Sequence, residues 1–234
     1  SPPIDTPQAV IWIAATGLDD IADEIRAHVQ EFMPDWLSPY VISDNLTPRH
    51  QVVRFLDALA IPALLSLVVA HGSYRDIFAM DEETERVSLS VDDVAKLHGG
   101  RRVAPMLLLS CFSGQFNTRA DQGRSLGEVF CLHPAGPITV VAARASISPL
   151  INYLFARALA FELDEGRGNL DAVGDLLRRV QRRLHNPQNG LRADSIIQDN
   201  VAIRILSANQ AQNDRSLKTS ENLEEELLSY NLLG

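Results

Sequence analysis

Apolar positions along the chain follow two rhythms. Nearly continuous apolar runs of strand length recur at Gln8–Ala15, Tyr40–Ile42, Ala63–Ala70, Val103–Ser110 and Pro137–Ala143. Such runs predict strands buried on both faces. Between them, apolar residues fall three and four positions apart, the spacing of one helix face. Asp19–Phe32 aligns Ile21, Ile25, Val29 and Phe32 behind an acidic first turn of Asp19 and Asp20. Thr47 as N-cap and Pro48 in the first turn open a second helix. It extends toward Leu59, with Val52, Val53, Leu56 and Leu59 predicted on one face. Further helices are predicted from Val91 to Leu97 behind Ser90, from Ser125 through Leu132, from Ile151 to Leu163 and from Asn169 to His185. Ser73–Ser90 is polar and mixed, ending in Val87-Ser88-Leu89, which alternates like a small edge strand or hairpin.

Strands alternating with helices through short connections predict an α/β fold: a mostly parallel sheet with helices on both faces. A chain of 234 residues, 46% apolar, can bury one full core. Residues 1–209 are expected to form one domain, because the only composition shift falls near Asn209. Residues 210–234 are polar and then amphipathic through Leu223, Leu227, Leu228 and Leu232, and are expected to be a mobile or partner-docked tail. The net charge of −9 disfavours a nucleic-acid surface. The longest apolar stretch, Ile61–Ala70, contains Pro62 and falls well short of the ~18 residues a membrane helix needs, so no membrane partner is expected. Two cysteines, Cys111 and Cys131, make no disulfide framework. His133 and His185 lack metal-ligand spacing, and the glycines fit no phosphate loop, so neither metal nor cofactor is expected. The chain begins at Ser1, so the lack of a leader says little about compartment; a cytoplasmic location is taken ahead of a secreted one.

The candidate chemistry sits where two apolar runs end. Val68-Val69-Ala70 leads into His71-Gly72-Ser73, and Met106-Leu107-Leu108-Leu109-Ser110 leads into Cys111-Phe112-Ser113-Gly114. Open α/β sheets place their chemistry at such carboxyl ends of strands. A thiol and an imidazole on neighbouring tips make a nucleophile and its acid/base partner. A lone cysteine after an apolar run is more often core filler, and a lone strand-end histidine is more often a surface residue; their pairing raises both. Gly72 beside the imidazole lets backbone approach a ligand, and its amide can serve an oxyanion hole.

His-Gly after one strand and Ser-Cys-x-x-Gly after the next resemble the caspase-like (clan CD) cysteine peptidases, which include caspases, legumains, gingipains and separases. The detail is similar to the gingipain-type branch in Cys111-Phe112-Ser113-Gly114-Gln115-Phe116, Ser125-Leu126-Gly127-Glu128, Ala135-Gly136-Pro137 and Val140–Arg144. Ser110–Gly114 and Ala142–Ala145 are also similar to bacterial legumain-like peptidases, and Gly168–Val173 to CHAT domains. The resemblance spans roughly residues 8–185. It implies a caspase-like three-layer α/β/α fold and a cysteine endopeptidase with a Cys111–His71 dyad. The backbone amides of Gly72 and Cys111 would form the oxyanion hole, and the reaction would pass through a thioester.

Carried over from the same relatives, the first substrate subsite falls on Gly17–Asp20, Ser110 and Arg144–Ser148, which implicates Asp19, Asp20, Ser110, Arg144 and Ser146. Asp19 or Asp20 would select a basic side chain, although both also suit a helix N-terminus. Arg144 would favour an acidic or neutral residue; a basic preference is the expectation taken. Asp76 and Glu128 are candidates for a third, orienting carboxylate only by sequence proximity. The loop Asn117–Arg124 is a candidate for self-processing, and residues 210–234 for docking an activator or partner protein beside the protein or peptide substrate. Arg178, Arg179, Arg182 and Arg183 are expected to pair within their helix with Asp171 and Asp175.

Two other readings compete. An α/β-hydrolase would place Gly before the nucleophile and His after it in chain order, whereas Leu109 and an earlier His71 stand here. A non-catalytic or latent module on the same fold, binding a partner or regulating it, is the alternative.

Overall fold

Strands buried along their whole length organise the larger sheet. The computed structural model describes residues 8–13, 34–42, 46–79, 87–99, 104–115, 123–147, 149–166, 173–185 and 230–233. They contain strands β1 (Gln8–Ile13), β2 (Ser38–Val41), β3 (Leu65–Val69), β4 (His71–Gly72), β5 (Asp76–Ala79), β6 (Val87–Ser90), β7 (Met106–Leu109), β8 (Val140–Ala143) and β9 (Tyr230–Leu233). The helices are α1 (Pro48–Ala58), α2 (Val91–Val94), α3 (Leu126–Leu132), α4 (Pro149–Glu165) and α5 (Val173–His185). The chain forms two compact units. Residues 1–17, 35–146 and 230–234 make the first, and residues 18–34 and 147–229 the second.

In the first unit, a six-stranded sheet has the order β2-β1-β3-β7-β8-β9. All its pairings are parallel except β8–β9, which is antiparallel. This is the mostly parallel α/β sheet the sequence predicts. The strands are shorter than the apolar runs that announced them: β3 and β7 occupy five and four residues. Every residue of β3, β7 and β8 is buried, as expected of central parallel strands. Val10, Trp12, Val68, Ala70, Met106, Leu108, Val140 and Ala142 alternate along their strands and enter one apolar core with Phe55, Ile77, Leu89, Val94, Leu126 and Phe130.

Helix α1 starts as the sequence predicts: Thr47 Oγ1 accepts the His50 N–H at 3.4 Å and Pro48 sits in the first turn. Its inner face keeps the expected Val52, Leu56 and Leu59 but not Val53. Pro48, Gln51, Val52, Phe55 and Ala58 are buried, while Val53 is 48% exposed. A buried partner decides this rotation. The Trp12 indole N–H donates to Gln51 Oε1 at 3.1 Å, and Gln51 Nε2 donates to Leu46 O at 2.9 Å. The Trp12 ring also packs on Phe55 with centroids 5.0 Å apart. A polar side chain thus replaces an apolar one inside because both ends of its amide are satisfied.

The polar stretch after His71 builds a second, antiparallel sheet, β4-β5-β6. Of the two forms expected here, an edge strand or a hairpin, the structure has the hairpin, β5 with β6. Helix α2 is shorter than predicted but begins at Ser90 as expected, with a capping box between Ser90 and Asp93.

Two corrections concern the chain's second half. Residues 230–233, expected in a tail, pair with β8 as β9; residues 210–229 lie outside the described residues. Within the second unit, Arg178 pairs with Asp175 as expected. Arg179 and Arg183, however, reach Glu162 of α4 at 3.0 and 2.7 Å, and Arg183 also reaches Glu165 at 2.7 Å. Glu162 is buried and meets two guanidinium partners on the neighbouring helix.

Candidate active site

Strands β3 and β7 run parallel with Val69 opposite Leu109, and the Ala70 N–H extends the ladder to Leu109 O at 3.4 Å. His71-Gly72 and Ser110-Cys111 therefore emerge side by side at the carboxyl ends of adjacent strands. Gly72 shows how close they come. A Cβ built on it would lie 2.8 Å from Ser110 Oγ, 2.9 Å from Ser110 Cβ and 3.0 Å from Cys111 O. Any side chain here would force the two tips apart.

Cys111 opens a turn over residues 111–114. Phe112 has φ 57°, a left-handed conformation that is uncommon for a bulky residue. The turn is held from several sides. The Phe112 N–H donates to Ala145 O at 3.0 Å, the Gly114 N–H to Ala143 O at 2.8 Å, and the Gln115 N–H to Phe112 O at 3.1 Å. Ser113 Oγ donates to Ser110 O at 3.0 Å. Gly114 meets β8 so closely that a Cβ would lie 2.6 Å from Ala142 Cβ.

Helix α3 ties both tips to one support. Its first amides have no partners within the helix. The Leu126 N–H donates to Tyr74 O at 2.9 Å, in the turn after His71-Gly72, and the Gly127 N–H donates to Ser113 O at 2.8 Å, in the turn after Cys111. Ser125 and Glu128 form the capping box of this helix, with the Ser125 N–H and Oγ donating to Glu128 Oε2 at 2.8 and 2.9 Å. The Glu128 carboxylate considered for an orienting role is thus engaged in the cap.

The other candidates fall in different places. Ser146 Oγ lies 3.8 Å from Cys111 Sγ, so the segment after β8 reaches the thiol. Arg144, two residues earlier, is exposed. Ser110 is wholly buried, and its hydroxyl faces Gly72 without a hydrogen-bond partner. As placed, it presents no surface to a substrate. Asp19 and Asp20 lie outside the described residues, as do residues 117–122 of the loop considered for self-processing. The sequence reading also missed Phe78. Its ring stacks on the His71 imidazole with centroids 5.6 Å apart and planes 15° apart. The signal for it was weak, a four-residue strand inside a polar stretch.

A model of peptidase family C25 matches residues 9–220. No curated protein matches the chain. Among solved structures, that of the Arg-specific cysteine proteinase gingipain R (RgpB) is 13% identical with a TM-score of 0.54, over 97% of this chain and 46% of that one. A complex of the pro- and mature domains of Porphyromonas gingivalis RgpB is 14% identical with a TM-score of 0.53, over 97% of this chain and 47% of that one. A protein described as a protease is 12% identical with a TM-score of 0.57, over 100% of this chain and 48% of that one. The chain thus spans just under half the length of these relatives, and at such identities the likeness is one of fold.

Proposed function

Because the chain belongs to peptidase family C25, we propose that it is a cysteine endopeptidase with Cys111 as nucleophile and His71 as its acid/base partner. The observation that carries this reading is the seating of Gly72 against Ser110 and Cys111 O, which joins the two strand tips into one site. Cys111 Sγ attacks the scissile carbonyl carbon as its proton passes to His71. The Gly72 and Cys111 amides receive the oxyanion, a contribution of about 2.7–4 kcal/mol per donor where it has been measured by mutation. His71 then protonates the departing amine, leaving a thioester on Cys111. Water, losing a proton to His71, hydrolyses the thioester and restores the thiol. Ser146, 3.8 Å from the sulfur, and exposed Arg144 are assigned to the acyl side of the substrate, and buried Ser110 is not.

The preferred residue before the scissile bond is basic in this reading, with Asp19 or Asp20 as the carboxylate that pairs with it. The Arg specificity of gingipain R, a relative in fold, supports that choice. The partner is a protein or peptide substrate, and the pro-domain complex of RgpB supports a second, propeptide-like partner. A positional-scanning fluorogenic peptide library, run on the protein and on Cys111→Ala, tests the proposal. Cleavage after Arg or Lys that disappears in Cys111→Ala is the expected result. Cleavage after other residues would overturn the basic preference alone. Equal turnover by both proteins would remove Cys111 from the chemistry, and silence from both would favour the latent or partner-binding module.

A further inference from the structure

We infer that Phe78 is a positioning residue for His71, fixing the plane of the imidazole by stacking; this rests on the proposed role of His71. The short hairpin β4–β5 sets the geometry. His71 pairs with Phe78 and Gly72 with Ile77, and the Ser73 N–H closes the turn on Asp76 O at 2.7 Å. Residues directly opposite in an antiparallel pair share a face, and successive residues alternate. One face therefore buries Ile77 completely and lays Gly72 against Ser110 and Cys111. The other face carries His71 and Phe78 together.

The ring contact follows from that register. Centroids 5.6 Å apart with planes 15° apart describe an offset stack, one of the arrangements aromatic pairs prefer. The torsion that swings an imidazole about its Cβ–Cγ bond is broad and poorly defined by itself. A flat ring lying parallel to it narrows that freedom, and a general acid must hold its N–H on the line of the leaving amine. The Glu128 carboxylate, engaged in capping α3, is not available for this work. Phe78 is well placed for it because the hairpin that carries both rings is itself tied to α3 through Tyr74 O and to α2 through the Arg75 O contact with the Val91 N–H at 3.0 Å.

The test compares Phe78→Leu and Phe78→Tyr with His71→Ala in the full chain, using a fluorogenic peptide amide that the wild type cleaves. Phe78→Leu is expected to lower kcat about tenfold with KM unchanged, the scale of one aromatic pair lost. Phe78→Tyr, which keeps the ring, is expected to restore kcat to within about twofold of wild type. In NMR spectra the His71 ring protons, displaced by the ring current of Phe78, are expected to move in the Leu variant and stay in the Tyr variant. If Phe78→Leu does not fold, Phe78→Met takes its place. Unchanged kcat in the Leu variant, a change confined to KM, or failure of Tyr to rescue would overturn the inference. A fully active His71→Ala would instead overturn the reading of the dyad itself.

Discussion

At Gly72 a single methyl group would meet Ser110 Oγ at 2.8 Å and Cys111 O at 3.0 Å, so the separation of the two catalytic candidates depends on one missing Cβ. Gly72→Ala is expected to cut peptide turnover on the order of 100-fold, as displacements of about 1 Å at reacting groups do. Adding Ser110→Gly to that variant removes the side chain it collides with and is expected to recover part of the loss, while the contact with Cys111 O keeps recovery incomplete. Steady-state kinetics of the single and double variants check both statements; equal activity of the two would remove the steric account. Gly114→Ala collides with β8 itself, since Ala142 backbone atoms as well as its Cβ lie within 2.8 Å. It is expected to destabilise the fold by about 1–3 kcal/mol, read as a lower melting temperature. His71, Gly72 and Cys111 drew attention in the sequence because they coincide with the ends of apolar runs. Ser146 was implicated only through resemblance, and its hydroxyl lies 3.8 Å from the sulfur. Phe78 was not legible, since an aromatic residue in a polar stretch carries no periodicity to assign its face.

Capping boxes start both short helices; the sequence reading placed Ser90 as a cap but considered Glu128 only as an orienting carboxylate. What the sequence could not show is that α3 spends its first free amides on the turns beyond His71-Gly72 and Cys111. Ser125→Ala is therefore expected to act twice. It removes a cap, worth about 0.5–2 kcal/mol, and it loosens the support of both tips, so turnover should fall along with the melting temperature. A variant that loses stability but keeps full turnover at low temperature would separate the helix from the site. In α2, burial alone would raise the pKa of Asp93, but hydrogen bonds from the Ser90 backbone and side chain, aided by Lys96, outweigh it and hold the carboxyl below its usual 3.8. A carboxyl held low in the folded state favours folding fully above its unfolded pKa, and that contribution is lost as pH falls through its folded value. Asp93→Asn should thus be less stable than wild type at neutral pH, with the difference narrowing on acidification below about pH 4. Thermal melts across that range measure it. On α1 the sequence reading erred at Val53 and passed over Gln51, which looks polar from the sequence and becomes a core residue through its pairing with Trp12.

Over the whole molecule, the parallel strands correspond to the apolar runs, and the mostly parallel α/β sheet was legible in that sense. The strand that finishes the sheet was not. Tyr230–Leu233 sits in a segment of leucines and glutamates whose spacing suits a helix, and pairing with β8 overrides that local preference. The helices α4 and α5 are joined by Glu162 and its two arginines. Glu162→Ala leaves Arg183, only 17% exposed, without its buried partner and is expected to cost about 1–3 kcal/mol, with Arg179 partly screened by solvent. Strand β9 has a further consequence, in the order of synthesis. Residues 147–229, nearly all of the second unit, are made after β8 and before β9. Throughout their translation the flank of β8 stands open, although the strands bearing His71 and Cys111 have already emerged. An unpaired flank of this kind invites association with other nascent chains. The flank of β8 is thus covered late, well after Cys111 has been made, and association of nascent chains through it is expected in that interval.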